Sequence, residues 1–284
     1  MRKDSSNFYL HEKSNEFYWE GNGQLSIKTF TNGKAHYKTN KGFFAVEEDR
    51  YLLLNEGPYT ISIEEDKEVE SFCIFFKDQF AEEVLRTIYD STEKLLTDPY
   101  KDNTPIGFFE KTYQSTLLSN QIQLFKNNLS MFQNDLLWKE EQFYKLMQTV
   151  IGVHQNTLKE ICSLSALRAS TREEIYRRIN IAHDYIRAFY HRPITLQDIS
   201  KIACLSPNHL LRNYSEVFGS SPHQHITELR LLKAKKLLRN LEYSITDITF
   251  EIGLNNPVSF SKMFKKHEGM SPMQYRKKVI MDKN

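Results

Sequence analysis

Two short stretches of the sequence carry hydrogen-bonding and basic side chains at a spacing that places them on one face of a helix. They are Asn208, Leu211, Arg212 and Ser215 in the first stretch, and Val258, Ser261, Lys262 and Lys265 in the second. Both sets follow the i, i+3, i+4, i+7 pattern of a helical stripe. Guanidinium, amide and ammonium groups in such a stripe can bond base edges and phosphates, so the chemistry that these faces favour is contact with the major groove of DNA.

The two faces lie in a segment, residues 194–276, that is repeated within the chain. Asp198-Ile199 recurs as Asp247-Ile248 at an offset of 49, and Ser221-Pro222 recurs as Ser271-Pro272 at an offset of 50. A repeat of about 50 residues indicates one supersecondary unit that is built twice.

Each copy predicts a helix, a tight turn and a second helix. In the first copy, Ser206 is a good N-cap and Pro207 occupies the first helical position, where its missing N–H costs nothing. The second copy repeats this arrangement. We therefore predict helix-turn-helix units over residues 194–218 and 245–268.

The segment between the copies predicts a connecting helix over residues 222–239. It would be about 27 Å long at 1.5 Å per residue. That length suits two recognition helices in successive major grooves, which are about 34 Å apart.

Two positions depart from the repeat. Asn213 stands opposite the apolar Met263, which predicts a hydrogen bond or partial exposure at this site. Cys204 stands opposite Gly253, and a left-handed backbone is less favourable with a side chain than with glycine. We interpret Cys204 as a small buried turn residue rather than a redox or alkyl-accepting thiol.

The charge of the chain is distributed unevenly. The 284 residues, 40% of them hydrophobic, are enough for two domains with cores. From Arg168 to the end there are 20 Lys+Arg and 11 Asp+Glu, a balance of +9, which leaves 18 against 25, or −7, for the rest of a chain of net charge +2. This asymmetry favours contact of the C-terminal part with a polyanion, although an ordinary solvated surface is an alternative explanation.

The sequence predicts a cytoplasmic protein without a membrane partner, metal or cofactor. It has no run of about 18 apolar residues, and its N-terminus is polar rather than a signal peptide. The three cysteines, Cys73, Cys162 and Cys204, are odd in number and far apart, which favours a reducing compartment over a disulfide framework or a zinc site. No Ser/His/Asp cluster or phosphate loop stands out, so we do not expect an enzyme.

The N-terminal part predicts an antiparallel β-barrel or sandwich. Residues 17–76 contain stretches rich in β-formers about every ten residues, separated by turn signals and by a charged break at 64–67. The apolar period then becomes helical, notably over 122–132 and 136–151. These two segments predict either a helical hairpin used for dimerisation or a cover for an open face of the barrel.

Together these patterns predict an α+β chain of two domains. Residues 1–165 would form a sensing and dimerisation domain, with an antiparallel barrel and flanking helices. Residues 166–174 would form a linker, and residues 175–284 an all-α domain with the two helix-turn-helix units.

The C-terminal part resembles the AraC/XylS family of transcription regulators over residues 175–280. The resemblance rests on Ala203-Cys204-Leu205-Ser206-Pro207 in the first copy, and on Phe260-Ser261-Lys262-Met263-Phe264-Lys265-Lys266 and Gly269-Met270-Ser271-Pro272 in the second. It implies promoter DNA as the partner, activation through contact with RNA polymerase, and a cupin-like barrel as the sensor of a small-molecule effector. We expect such a regulator to be a homodimer.

The same resemblance implies which side chains contact DNA. Base contacts fall on Asn208, Leu211, Arg212, Pro257, Val258 and Lys262, and Ser261 joins them because it lies on the outward face of its helix. Contacts to the phosphate backbone are expected from Ser206, Ser215, Lys265 and Lys266. The second face has fewer hydrogen-bonding groups, so we expect it to contribute mainly affinity.

The candidate effector pocket is predicted from aromatic side chains of the barrel. The candidates are Trp19, Phe30, His36, Tyr37, Phe44 and Tyr51. We expect about half of the aromatic residues to fill the core instead, and His36 to be a satisfied barrel histidine rather than a ligand contact. His36 is the single histidine between Leu25 and Phe76, which argues against a metal-dependent cupin enzyme.

Two hypotheses remain from the sequence. The first is an effector-responsive, sequence-specific transcription regulator. The alternative is a metal-free cupin-like binding protein or enzyme whose C-terminal helices contact other proteins, and a steep salt dependence of DNA affinity would separate the two.

Overall fold

The computed structural model describes residues 6–98, 105–114, 116–166 and 168–281. The chain divides into two compact units, Met1–Ser163 and Leu164–Asn284. The first unit contains the β-structure and the second is helical, as the sequence predicts for the α+β class.

The described part of the first unit contains an antiparallel, barrel-like sheet of seven strands. Its strands are β1 (Phe8–Gly23), β2 (Ser26–Thr31), β3 (Lys34–Thr39), β4 (Gly42–Glu47), β5 (Tyr51–Leu54), β6 (Gly57–Phe75) and β7 (Thr112–Tyr113). The order is β4-β3-β6-β2-β5-β7, and β1 pairs with β6. The predicted antiparallel barrel is therefore confirmed.

The long strand β6 corrects one expectation. The charged break predicted at residues 64–67 lies inside β6, because β1 pairs with the strand on both sides of it. Ser14 lies opposite Val69 and Glu16 lies opposite Glu64, so the extra residues of β6 form an irregularity in the ladder instead of a turn. The first half of β1 was not predicted, since it is mostly exposed and has no apolar alternation.

Two apolar clusters lie on opposite sides of the sheet. The outer cluster packs the sheet against α1 (Phe80–Tyr89), α3 (Thr116–Asn128) and α4 (Leu136–Ser163). The inner cluster fills part of the barrel. A short helix, α2 (Thr92–Thr97), follows α1. The helices predicted after the barrel do cover one face of the sheet, while their outer sides leave leucines such as Leu124 and Leu137 exposed.

Seven helices are described in the second unit. They are α5 (Ala169–Phe189), α6 (Leu196–Ile202), α7 (Pro207–Phe218), α8 (Pro222–Leu238), α9 (Ile245–Glu251), α10 (Pro257–Glu268) and α11 (Pro272–Met281). Pairs α6–α7 and α9–α10 are the two helix-turn-helix units, and α8 joins them. This arrangement confirms the predicted fold of the C-terminal part.

Helix α5 begins earlier than the sequence suggests. Its N-cap is Arg168, so most of the stretch assigned to a linker, residues 166–174, is helical. Two acidic residues in that stretch form i,i+4 ion pairs, Glu173 with Arg177 and Glu174 with Arg178. Such pairs support helix formation where a capping hydroxyl is missing.

The two departures from the repeat have local explanations. Cys204 adopts a left-handed conformation with φ of 51°, as Gly253 does with φ of 79°. Cys204 is exposed, so the expectation that it is buried was wrong. Asn213 is buried, and its Nδ2 donates to the carbonyl oxygen of His209 at 2.7 Å. That bond to the preceding turn satisfies the amide where the other copy has Met263.

Candidate nucleic-acid interface

Helix α7 presents the first predicted face to solvent. The Ser206 hydroxyl caps the helix by accepting from the N–H of His209, and Pro207 follows at the first helical position. Leu210 and Tyr214 on the opposite side are fully buried. The side chains of the predicted base contacts, Asn208, Leu211 and Arg212, and of the predicted phosphate contact Ser215 are exposed.

The guanidinium of Arg212 is available for a ligand. Within the described part of the chain, no hydrogen bond or ion pair is formed by this side chain. Glu216 follows Arg212 by four residues, at the spacing of a helical ion pair. Its carboxylate instead accepts from the backbone N–H of Ser165 at 2.7 Å.

Helix α10 presents the second face. Asn256 caps it by accepting from the N–H of Val258 at 2.8 Å. Phe260 and Phe264 are buried on its inner side. On the outer side, Val258, Lys262, Lys265 and Lys266 are exposed, while Pro257 and Ser261 are half-buried.

Two apolar cores support these two helices, and α8 belongs to both. Ile226 near the start of α8 packs in the core of the first helix-turn-helix unit, and Ala234 packs in the core of the second. The guanidinium of Arg230 on α8 donates to the carbonyl oxygens of Tyr190 and Arg192 after α5. Helix α8 is therefore a shared structural element, about 26 Å long for its 17 residues.

The turn of the second unit also packs closely on the end of α5. Gly253 approaches the backbone of His191 so closely that a Cβ would overlap the carbonyl oxygen. A glycine is needed here for this approach as well as for its positive φ.

A hydrogen-bonded network holds α7 against its neighbours and was not predicted from the sequence. The Tyr214 hydroxyl lies 3.1 Å from Nδ1 of His183 on α5 and 3.0 Å from Nδ1 of His225 on α8. His183 also stacks on Phe218 with ring centroids 4.2 Å apart. The three polar residues come from three helices, so no local spacing in the sequence reveals the network.

Capping boxes fix the first helix of each unit. Thr195 and Asp198 form one box, and Ser244 and Asp247 form the other. Hydrogen bonds from Thr195 and from Ser244 lower the pKa of Asp198 and Asp247, respectively. Both carboxylates therefore stay ionised at neutral pH. Their negative charge interacts favourably with the positive N-terminal end of the helix dipole.

The six candidate pocket residues occupy different environments in the barrel. Trp19 and Tyr37 line a cavity of about 1030 Å³. Phe30 and Phe44 are buried in the inner cluster, and Tyr51 stacks on Tyr113 in the outer one. His36 is half-buried and stacks on Phe43, and burial lowers its pKa.

Sequence reasoning missed a buried charged residue of that cavity. Lys28 lines it together with Tyr59, Cys73 and Phe75. Lys28 shares the inward side of β2 with Phe30, which is the one sequence signal that could have placed it inside. A lysine next to a buried Ile27 in a strand normally indicates that the lysine lies on the solvent-exposed face. That expectation is why the sequence does not identify Lys28 as a cavity residue.

Comparison with known proteins finds a matching domain model for the helical unit, and similar proteins. A helix-turn-helix domain model matches residues 199–278. The lactose operon transcription activator of Staphylococcus xylosus is 34% identical over 98 residues, which are 34% of this chain and 35% of that protein. The uncharacterized HTH-type transcriptional regulator YdeC of Bacillus subtilis is 23% identical over 261 residues, 89% of this chain and 84% of that protein.

A similar solved structure covers about the same share of the chain. The C-terminal domain of AraT, a response regulator from Geobacillus stearothermophilus, is 31% identical with a TM-score of 0.35, and the match covers 36% of this chain and 84% of that one. The chain spans only about a third of the length of the lactose operon activator. Among the described residues, no helix has the length and apolar character needed to cross a membrane.

The paired units, their exposed faces and the shared helix define a double helix-turn-helix domain. Residues 199–278 belong to the AraC-type helix-turn-helix domains. The resemblance predicted from the sequence is confirmed for this part of the chain.

Proposed function

We propose that the chain is a sequence-specific transcription regulator that inserts α7 and α10 into successive major grooves of promoter DNA. The observation that carries this proposal is the pair of capped helices that expose their polar and basic faces while a shared helix holds them in one unit. The balance of +9 in the C-terminal part supports attraction to a polyanion.

The two faces have unequal roles in this proposal. Arg212 donates to O6 and N7 of a guanine, Asn208 bonds an adenine, and Leu211 contacts a thymine methyl group. In the second face, Val258 gives an apolar contact and Lys262 a point charge. The first face therefore supplies most of the sequence discrimination.

The remaining contacts are assigned by chemistry and position. Ser206, Ser215, Lys265 and Lys266 bond phosphates, and Pro257 and Ser261 lie beside the bases contacted by the second face. The hydroxyl of Ser206 accepts a backbone hydrogen bond, which leaves its O–H able to donate to a phosphate oxygen.

The first unit supplies regulation in this proposal. Its cavity binds a small-molecule effector, and the exposed leucines of α3 and α4 form a homodimer contact. The output is activation of transcription through RNA polymerase, in the cytoplasm. The relatives' names support a role in transcription, since one is an operon activator and another is called a transcriptional regulator.

The test is affinity selection from random DNA with the full chain, followed by titration of the selected site. Arg212→Ala should weaken binding to that site by about 1–3 kcal/mol and relax the preference at one base pair. Lys265→Ala is the matched control, because loss of a phosphate contact should weaken all sequences equally and reduce the salt slope by about 1.

Two results would count against the proposal. The specific contact fails if Arg212→Ala and Lys265→Ala have the same effect on every sequence. The whole function fails if the wild-type chain enriches no sequence and shows no salt-dependent affinity, a result that would favour a binding protein whose C-terminal helices contact other proteins.

A further inference from the structure

Lys28 is a buried lysine inside the barrel. It follows Ile27 on β2. The Ile27 side chain packs in the outer cluster, so the Lys28 side chain points to the opposite side of the strand. The relative exposure of Lys28 is only 1%, although lysine is a charged residue. An ammonium group is rarely buried to this degree without a partner of opposite charge.

The surroundings of the Lys28 amine are aromatic. Its Nζ lies 3.7 Å from the ring centroid of Phe75 and donates to the Tyr59 hydroxyl at 3.1 Å. Among the described residues, no carboxylate lies within ion-pair distance of this amine. Burial lowers the pKa of Lys28 to about 8, so the amine is still mostly protonated at neutral pH.

The groups nearest to Lys28 do not provide a counter-charge. Burial raises the pKa of Cys73, and it raises the pKa of Tyr37 and Tyr59 above the usual tyrosine range. The thiol and both hydroxyls therefore stay neutral at pH 7.

The other lysines of the cavity wall are paired. Lys41 lies 3.4 Å from Glu110 Oε1, and Lys77 lies 2.8 Å from Glu83 Oε2. Both are partly exposed. Lys28 therefore differs from them in both burial and pairing.

The cavity beside Lys28 can hold an organic molecule. Its volume of about 1030 Å³ corresponds to the upper end of small-molecule sites. Much of its wall is aromatic, including Phe8, Trp19, Tyr37, Tyr59 and Phe75. Such a wall favours a flat or extended apolar body, and the amine at the wall favours one anionic group on that body.

We propose that the barrel cavity binds an organic carboxylate, with an apolar body against the aromatic wall and the carboxylate paired with the Lys28 ammonium. Identification of this anion as the effector rests on the proposed regulatory function, whereas the binding itself does not. The carboxylate supplies the counter-charge that the described protein groups around Lys28 lack.

Binding of the anion is coupled to protonation of Lys28. In the empty cavity the amine loses its proton near pH 8, and a bound carboxylate raises the pKa of the amine. The affinity is therefore constant well below pH 8 and falls about tenfold for each pH unit above it. Binding at pH 9 takes up a proton, which calorimetry in buffers of different ionisation enthalpy detects.

The experiment is isothermal titration of the full chain with matched probes at pH 7 and pH 9. The anions are naphthalene-2-carboxylate and 4-phenylbutanoate, and naphthalene-2-carboxamide is the neutral counterpart of the first. We expect Lys28→Met to weaken carboxylate binding about 10- to 100-fold and to leave amide binding within about twofold. Lys145→Met is the control, because Lys145 is exposed, is paired with Glu141 and lies outside the cavity, and it should leave both affinities unchanged.

The proposal is overturned if neither anion binds the wild-type chain, if carboxylate and amide bind equally, or if Lys28→Met leaves carboxylate affinity unchanged. DNA affinity is measured in parallel for the wild type with and without naphthalene-2-carboxylate, and for Lys28→Met without any probe. Carboxylate binding without any effect on DNA affinity would support the site and contradict its role as an effector site. If the wild-type chain binds neither carboxylate but still recognises its DNA site, the cavity proposal fails and the regulator proposal stands.

Discussion

Replacement of Lys28 by methionine should change how the stability of the first unit depends on pH. The pKa of Lys28 is about 8 in the folded chain against 10.5 for an unperturbed lysine. Between these two values the unfolded chain binds a proton that the folded chain has lost, so the free energy of unfolding rises with pH. The shift amounts to about 3 kcal/mol over the whole window, at about 1.4 kcal/mol per pH unit.

About 2 kcal/mol of this rise should be reached by pH 9.5. Lys28→Met lacks the titrating group, so its free energy of unfolding should not show this rise with pH. At neutral pH the variant should be at least as stable as the wild type, because it no longer buries a charge in an aromatic site. The difference in unfolding free energy between the two proteins should therefore shrink as the pH increases.

Urea titration followed by tryptophan fluorescence provides the measurement. The two tryptophans, Trp19 and Trp138, both lie in the first unit, so fluorescence reports its unfolding separately from that of the helical unit. Lys77→Met is the control, since its ammonium is partly exposed and paired with Glu83. Parallel pH curves for the wild type and Lys28→Met would refute the reasoning about a buried amine.

Two further predictions concern the turns of the repeat. Gly253→Ala should destabilise the helical unit by at least about 2 kcal/mol in thermal unfolding followed by circular dichroism, because it adds overlap with His191 to a left-handed backbone. Gly219→Ala is its control, with a similar φ of 69° and open space, and equal losses would exclude the overlap as a cause. Cys204→Gly should stabilise the same unit by up to about 1 kcal/mol, since φ is 51° at this position, and an unchanged midpoint would contradict this strain.

The sequence predicts the helical unit well because its signals are local. Ser206 with Pro207 and the glycines after α7 and α10 define helix ends within a few residues of chain, and the repeat confirms each assignment by a second copy. Even the left-handed turn at Cys204 follows from comparison with Gly253. The exposed faces of α7 and α10 follow directly from helical spacing.

The barrel is less predictable because its determinants are distant in sequence. Residues 64–67 look like a turn, yet β1 pairs across them from about fifty residues earlier in the chain. The polar side chain of Lys28 suggests the solvent side of β2, whereas closure of the sheet buries both sides of the strand. The start of α5 was placed too late because ion pairs within the helix, rather than a capping residue, support its first turns.

The sharing of α8 between two cores has a consequence for the DNA sequences that this chain can bind. The separation of the recognition helices is set when the domain folds, because Ile226 and Ala234 anchor the same rigid helix in both cores. Insertion of one base pair between the two half-sites rotates the second by roughly a tenth of a helical turn. In the proposed complex the protein cannot follow that rotation, so the duplex must twist or one half-site must be released.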